Sequence, residues 1–337
     1  MGLPEPWRIG FAMNFLRRLG FDTYMFLLLG TVGLGLLLPA QGLAADILGH
    51  VTYWAVALLF FLYGARLEPA AVRAGLLNWR LQGLVFIATF VMFPLLGLAL
   101  AAVFGPVLGA AVTLGLLFLT VLPSTVQSAI AFTSLAGGNV PAAICAASIS
   151  NLIGVVLTPL LVAVLLSQGG GEVHLDAILK ISVQILLPFA IGQMLRRWIG
   201  AFVQRHRMLT LTVDRGSILL IVYSAFSAST VARLWDNIPP QSLLVLFAVV
   251  LLLLALAMGL MMLAARTFGL PQADRIALFF CGSTKSLATG LPIATALFPA
   301  EIVGATVLPL MIYHMSQLLV CALIAQRANA RLRKAGV

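Results

Sequence analysis

Apolar positions in this chain run on continuously instead of alternating with polar ones. A hydrocarbon core of ~30 Å needs about twenty such residues per helical crossing. On that measure the runs predict ten spans: 22–40, 50–66, 80–103, 108–135, 139–167, 174–196, 215–234, 241–265, 272–298 and 300–326. Two of them are interrupted. The stretch FFCGSTKSLATGLPIATALF, residues 279–298, carries Gly282, Ser283, Thr284, Lys285, Ser286, Thr289, Gly290 and Pro292 at bilayer depth. Glycine and proline weaken a helix, and a lysine at the bilayer centre costs about 2.5–3.5 kcal/mol even on a lenient scale. Broken backbone survives there only inside protein or beside a water-filled cavity, so Lys285 is expected in the break of a discontinuous helix. A second such stretch, LPSTVQSAIAFTSLAGG at 122–138, lies 159 residues earlier, with Ser124-Thr125 in the place of Ser283-Thr284. Paired interrupted segments in the two halves of a membrane protein point to a transporter's binding site.

Basic residues set the expected orientation. Seventeen of the 20 lysines and arginines fall on one side of a ten-span arrangement: Arg8, Arg17 and Arg18 before the first span; Arg66, Arg73 and Arg80 after the second; Arg196, Arg197, Arg205, Arg207 and Arg215 in a loop after the sixth; Arg266 and Arg275 after the eighth; and Arg327, Arg331, Arg333 and Lys334 at the end. Lys180 and Arg233 fall near the other face. Both termini are then cytoplasmic, in a plasma or inner membrane. Five spans that start inside and five that start outside form an inverted repeat, with the broken helix fourth in each half. The expected divisions are a cytoplasmic segment at 1–21, a first repeat at 22–168, a second at 169–328, and a tail at 329–337. Gly105-Pro106 and Gly137-Gly138 read as very short loops between antiparallel neighbours.

Composition sharpens the class. The chain of 337 residues is 62% hydrophobic and 9% charged, where a soluble domain is about a quarter charged. The fold class is therefore an all-α polytopic membrane protein. A β-barrel of the outer membrane would alternate over ten-residue segments. The net charge of +10 would suggest nucleic acid in a soluble protein, but these charges sit between spans, so no nucleic-acid partner is expected. The Arg196–Arg215 region reads as a topology signal and, secondarily, as a contact for anionic lipid heads. No cleavable leader is read, because Arg8, Arg17 and Arg18 precede Phe21 without a long apolar core. Cys145, Cys281 and Cys321 lie in apolar runs with no metal or disulfide spacing, and they read as packing residues.

The chemistry expected at the breaks is polar, not catalytic. Ser124, Thr125, Gln127 and Ser128 cluster beside Pro123. Hydroxyls in membrane helices commonly bond their own backbone, whereas four polar residues together suggest a cavity wall. Ser148 and Asn151 share a face of the fifth span, either bonding a neighbouring helix or lining that cavity. His314, after Tyr313, is either a ligand or proton contact or a neutral ring bonded to a carbonyl. Lys285 allows three roles: a side chain reaching for the interface, an internal cation holding the crossed helices, or a titrating group that couples transport to protons. No acid lies in either break, so its expected partners are Ser124, Thr125, Gln127 or Ser128, freed backbone carbonyls, or a bound anion.

The segments LPSTVQSAIAFTSLAGGNVPAA, GARLEPAAV and FCGSTKSLATGLPIATALF together resemble the bile acid/sodium symporter family, and more narrowly its SBF-like orphan branch. The resemblance covers nearly the whole chain. It implies ten helices, with spans one, two, six and seven in a panel, the rest in a core, and the two broken helices crossing at mid-membrane. It also implies that Tyr313-His314 borders the substrate cavity. The sodium ligands of coupled members carry over poorly: their Ser-Asn pair falls on Ser128-Ala129, their next hydroxyls on Ala143 and Ala147, a shared glutamate near Ser283, and two glutamines on Leu287 and Thr89. Hard cations need several oxygens, so the two-sodium scheme is not expected here.

The function expected is secondary transport of an amphipathic or organic anion by alternating access. Its contacts would be Ser124, Thr125, Gln127, Ser128, Asn151, Ser283, Thr284, Lys285, Ser286 and His314, with half-helix N-termini presenting positive dipole ends. No cofactor, metal or catalytic constellation is read, so the chain is not expected to be an enzyme. The alternative is a non-transporting regulatory or lipid-binding membrane protein on a transporter scaffold.

Overall fold

The structure, a computed structural model, describes residues 23–66, 78–168 and 175–334. The expected N-terminal segment, Arg73, and the last three residues lie outside these. The described residues form helices joined by short turns, with no strand among them. In chain order the helices are α1 Thr23–Leu37, α2 Leu43–Arg66, α3 Trp79–Leu108, α4 Ala110–Thr120, α5 Gln127–Leu135, α6 Val140–Gln168, α7 Leu175–Arg205, α8 Arg207–Val231, α9 Pro240–Thr267, α10 Gln272–Ser283, α11 Leu287–Leu297 and α12 Ala300–Lys334. By length and composition, seven segments among the described residues can cross a membrane; one of them is the α10–α11 stretch taken as a unit, Gln272–Leu297. The α1 segment Phe26–Leu37 and α4 are apolar but shorter.

Two loop expectations need correction. The α3 helix runs through Gly105 and Pro106, and the chain turns instead at Gly109, which has a φ of 79°. Pro106 does not stop α3, because its missing N–H costs only one hydrogen bond near a terminus. The arginine-rich loop is also absent: α7 continues to Arg205, α8 begins at Arg207, and His206 alone lies between them. Arginine is a good helix former, so the helices extend past the apolar runs. The turn expected at Gly137-Gly138 is present, with Gly137 at a φ of 73°.

The interior is one large apolar cluster spanning most helices, with Phe60, Phe93, Phe118, Phe226, Phe280 and Tyr313 among its largest fully buried side chains. The outside is also apolar: Leu95, Leu244 and Met194 are widely exposed. In water such a surface would drive association; in a bilayer it matches the solvent. Helix α2 packs on α7 and α8, α1 packs on α8, and α8 packs in turn on α12. Helices α2 and α7 approach closely at two glycines. A Cβ on Gly64 would overlap the Phe189 carbonyl oxygen, and one on Gly192 would overlap that of Phe61. Small residues permit such backbone contact between membrane helices.

Polar ties fix the helix ends. Asp274, in the first turn of α10, accepts from Asn78 Nδ2 at 3.0 Å and Asn139 Nδ2 at 2.7 Å, joining the starts of α3, α6 and α10. Arg66 closes α2 with an ion pair to Asp214 of α8, at 2.9 Å.

Candidate functional site

The site is built from interruptions, so its logic is the fate of backbone groups that lose their helical partners. Helix α4 ends at Thr120 and α5 begins at Gln127; α10 ends at Ser283 and α11 begins at Leu287. Both breaks lie against each other: Ser286 N donates to Pro123 O at 2.9 Å.

In the first break, five successive carbonyls find partners from α6 and from the second break. Thr120 O and Leu122 O accept from Lys285 Nζ at 2.8 and 2.7 Å. Val121 O accepts from Thr158 Oγ1 at 2.8 Å. Pro123 O takes the Ser286 amide, and Ser124 O accepts from Asn151 Nδ2 at 2.7 Å. The Ser124 amide donates to Ser150 Oγ at 3.0 Å. In the second break, Cys281 O accepts from Ser124 Oγ at 2.6 Å and Ser283 O from Tyr313 Oη at 2.7 Å. Gln317 brackets the Lys285 peptide: its Oε1 accepts from Lys285 N and its Nε2 donates to Lys285 O, both at 2.8 Å. Ser286 caps α11, its Oγ accepting from Thr289 N at 3.2 Å.

The third partner of the ammonium comes from α3. A π-helical turn covers Ala88–Met92, and Phe93 N donates to Ala88 O five residues back. The next donor in line would be Pro94, which has no N–H. Thr89 O is thereby left without a helical donor, and Lys285 Nζ supplies one at 2.9 Å. All three ammonium protons are thus spent on main-chain carbonyls of two elements, with the Phe93 ring face 4.1 Å from Nζ. Lys285 is fully buried. An ammonium at this depth requires full compensation, and three carbonyl dipoles with an aromatic face provide it.

Of the alternatives open for Lys285, the structure selects freed carbonyls over the side chains of Ser124, Thr125, Gln127 and Ser128. The expected site residues divide in two. Ser124, Thr125, Ser283, Thr284, Lys285 and Ser286 are buried in the crossing. Gln127 is exposed at the start of α5, while Ser128, Asn151 and His314 are half-buried. Ser128 Oγ donates to Thr125 Oγ1 at 3.1 Å. Asn151 bridges the halves, its Oδ1 accepting from Thr289 Oγ1 at 2.7 Å. His314 Nδ1 lies 2.9 Å from Gln317 Nε2. Three members of this network, Gln317, Ser150 and Thr158, were not expected. Gln317 had a readable signal, an amide inside an apolar run three residues after His314. Ser150 and Thr158 had none, since any hydroxyl in a membrane helix can bond its own backbone. Of the positions that the resemblance aligns with sodium ligands, Ala129, Ala143, Ala147 and Leu287 are buried apolar side chains, while Ser128, Ser283 and Thr89 carry hydroxyls.

The model of the SBF-like CPA transporter family matches residues 22–330 of this chain. An uncharacterised Pseudomonas aeruginosa protein is 52% identical over 92% of this chain and 93% of its own. YfeH of Escherichia coli K12, provisionally named a symporter, is 45% identical over 91% and 92%. The mouse sodium/bile acid cotransporter 7 is 27% identical over the same shares.

Proposed function

The chain belongs to the SBF-like CPA transporter family, and from that premise we propose that it moves an organic anion by alternating access, with Lys285 standing where a coupling sodium ion would bind. Family membership and the seven apolar membrane-length segments among the described residues make it an integral membrane transporter. The finer reading rests on one observation: the Lys285 ammonium sits in a carbonyl cage contributed by α3 and the first break. Such a cage is what a small monovalent cation would need, and here the cation is covalently tethered to the second break. The mouse relative's name pairs sodium with bile acid, an amphipathic organic anion, which favours the same substrate class. Substrate contacts are assigned to the accessible residues Gln127, Ser128, Asn151 and His314. The buried members Ser124, Thr125, Ser283, Thr284 and Ser286 position them. Because every ammonium proton is already engaged, Lys285 serves as a fixed charge in preference to a proton carrier.

Uptake by proteoliposomes containing only this protein tests the reading. A panel of bile acids and aromatic carboxylates should include an accumulated solute, with transport unchanged when sodium is replaced by choline. Failure of every anion to move, with ligands still raising the melting temperature, would favour a regulatory or lipid-binding role instead. Calorimetry should detect no saturable sodium binding at physiological concentrations. A sodium-specific stabilisation lost in Ser128→Ala would place a metal site where we place none.

The proposed topology has ten crossings, with α4–α5 and α10–α11 each counted once, in two inverted repeats at 22–168 and 169–328. Cysteines introduced at Arg205 or Arg331 should be unreactive to impermeant thiol reagents in intact cells and reactive after lysis. Labelling in sealed cells would reverse the orientation.

A further inference from the structure

Helix α11 contains Pro292, which has no N–H for the carbonyl four residues earlier. That carbonyl belongs to Ala288, in the first turn of α11. Its partner comes from another part of the molecule: Tyr63 Oη, on α2, donates to Ala288 O at 3.3 Å. The distance is at the long end for a hydroxyl donor. The Asp214 carboxylate of α8 is held against the same face of α2 by Arg66, which follows Tyr63 by three residues. Asp214 is buried, and its Oδ2 is taken by Arg66 at 2.9 Å, while its Oδ1 is buried with no hydrogen-bond partner. Tyr63 therefore has one proton and two acceptors within its surroundings. One is a neutral carbonyl on the second broken helix. The other is an anionic oxygen on the helices that pack with α2. Hydrogen bonds to ionised acceptors are about twice as strong as neutral ones, and leaving a buried acceptor unpaired is costly.

We infer that the Tyr63 hydroxyl is a two-position latch between α2 and α11, donating to Ala288 O when the broken helix rests against α2 and to Asp214 Oδ1 when it moves away. The charged and titratable groups around it are Arg66 on α2, Asp214 and Arg215 on α8, and Tyr24 on α1, whose ring lies 4.9 Å under the Arg215 guanidinium. The second acceptor offsets the loss of the first, so the two arrangements stay close in free energy. A transporter that alternates needs such a contact to break at little net cost. The inference rests on the alternating-access reading, and it adds the contact that separates the two states.

Nitroxide labels at Leu209 on α8, which packs on α2, and Thr267 on α9, which packs on α10, both exposed, report the separation of the two broken-helix neighbours by pulsed electron spin resonance. The native cysteines are buried and leave the labels specific. The unsubstituted protein should show two distance populations. Asp214→Asn weakens the competing acceptor and should move the ratio about five-fold toward the population in which α11 rests against α2. Pro292→Ala returns an N–H to the Ala288 carbonyl and should move the ratio a similar amount the other way. In a Tyr63→Phe background neither substitution should change the ratio, because the shared proton is gone. A single population, or shifts that persist with Tyr63→Phe, would overturn the latch. Either substitution suffices if the other does not fold. Transport in proteoliposomes is measured separately, so a transporter without the latch and a latch in a protein that does not transport give different results.

Discussion

Lys285→Met should abolish transport and lower the melting temperature of the purified protein, although it removes a buried charge. The two effects oppose each other, and their sizes decide the sign. Methionine keeps the bulk of the side chain and removes the desolvation cost of the ammonium. Replacing a whole buried charged network by apolar groups is often neutral for that reason. Here only one side is replaced. Thr89 O, Thr120 O and Leu122 O all lose their donor, and orphaned buried acceptors cost roughly 1–3 kcal/mol each. For Thr89 O and Thr120 O no helical N–H can return: Phe93 N is committed to Ala88 O, Pro94 has none, and Ser124 N is held by Ser150. The sum exceeds the charge's own desolvation, because the unsubstituted ammonium is already fully compensated. Lys285→Arg should recover folding in part, since a planar guanidinium cannot aim three protons at carbonyls arranged around a point. Native-like melting and transport in Lys285→Met from pH 5 to 9 (about the range a desolvated lysine could titrate in) would make the lysine a bystander.

The outline of this site was legible in the sequence because its cost was legible. A lysine among apolar residues, flanked by Gly282 and Pro292, has few physically tolerable settings, and the break with its buried charge is one. The pairing of 122–138 with 279–298 was readable for the same reason, and the two breaks do meet, through Ser286 and Pro123. The ammonium's partners were open. They are main-chain carbonyls, which every residue carries, and one is released only by a π turn that no residue type specifies. Pro94 was the one local sign. Gln317 has no charge, and an amide in an apolar run suits plain helix–helix bonding equally well. The misplaced loops have a similar cause. Gly105-Pro106 and the Arg196–Arg215 run look like loops by composition, but a helix tolerates proline near its end and arginine throughout. Chain direction at Gly109 and His206 depends on packing between whole helices.

The glycines of α2 and α7 give the second large effect, and a sharp contrast of sign. Gly192→Leu and Gly64→Val should leave little monodisperse protein after extraction, with a cost above about 4 kcal/mol, the range reserved for overpacking and lost backbone contacts. The added atoms would meet the Phe61 and Phe189 carbonyl oxygens, which cannot rotate away as side chains do, so the helices must separate. Even alanine at either position should lower the melting temperature. Gly83 is the control, lying in α3 with no atom beyond its own stretch of helix backbone within 4 Å of the place a Cβ would occupy. There Gly83→Ala should be neutral or stabilising by up to about 1 kcal/mol, since alanine is the better helix former. An unchanged melting temperature for Gly192→Ala would mean that the α2–α7 contact is looser than its geometry. The crossing also bears on the latch, because Gly64 adjoins Tyr63 and Phe189 opposite it precedes Gly192 by one turn. Forcing α2 off α7 would carry the Tyr63 hydroxyl away from Ala288, so Gly64→Ala should also alter the ratio of the two spin-label populations. Gly83→Ala should leave that ratio alone.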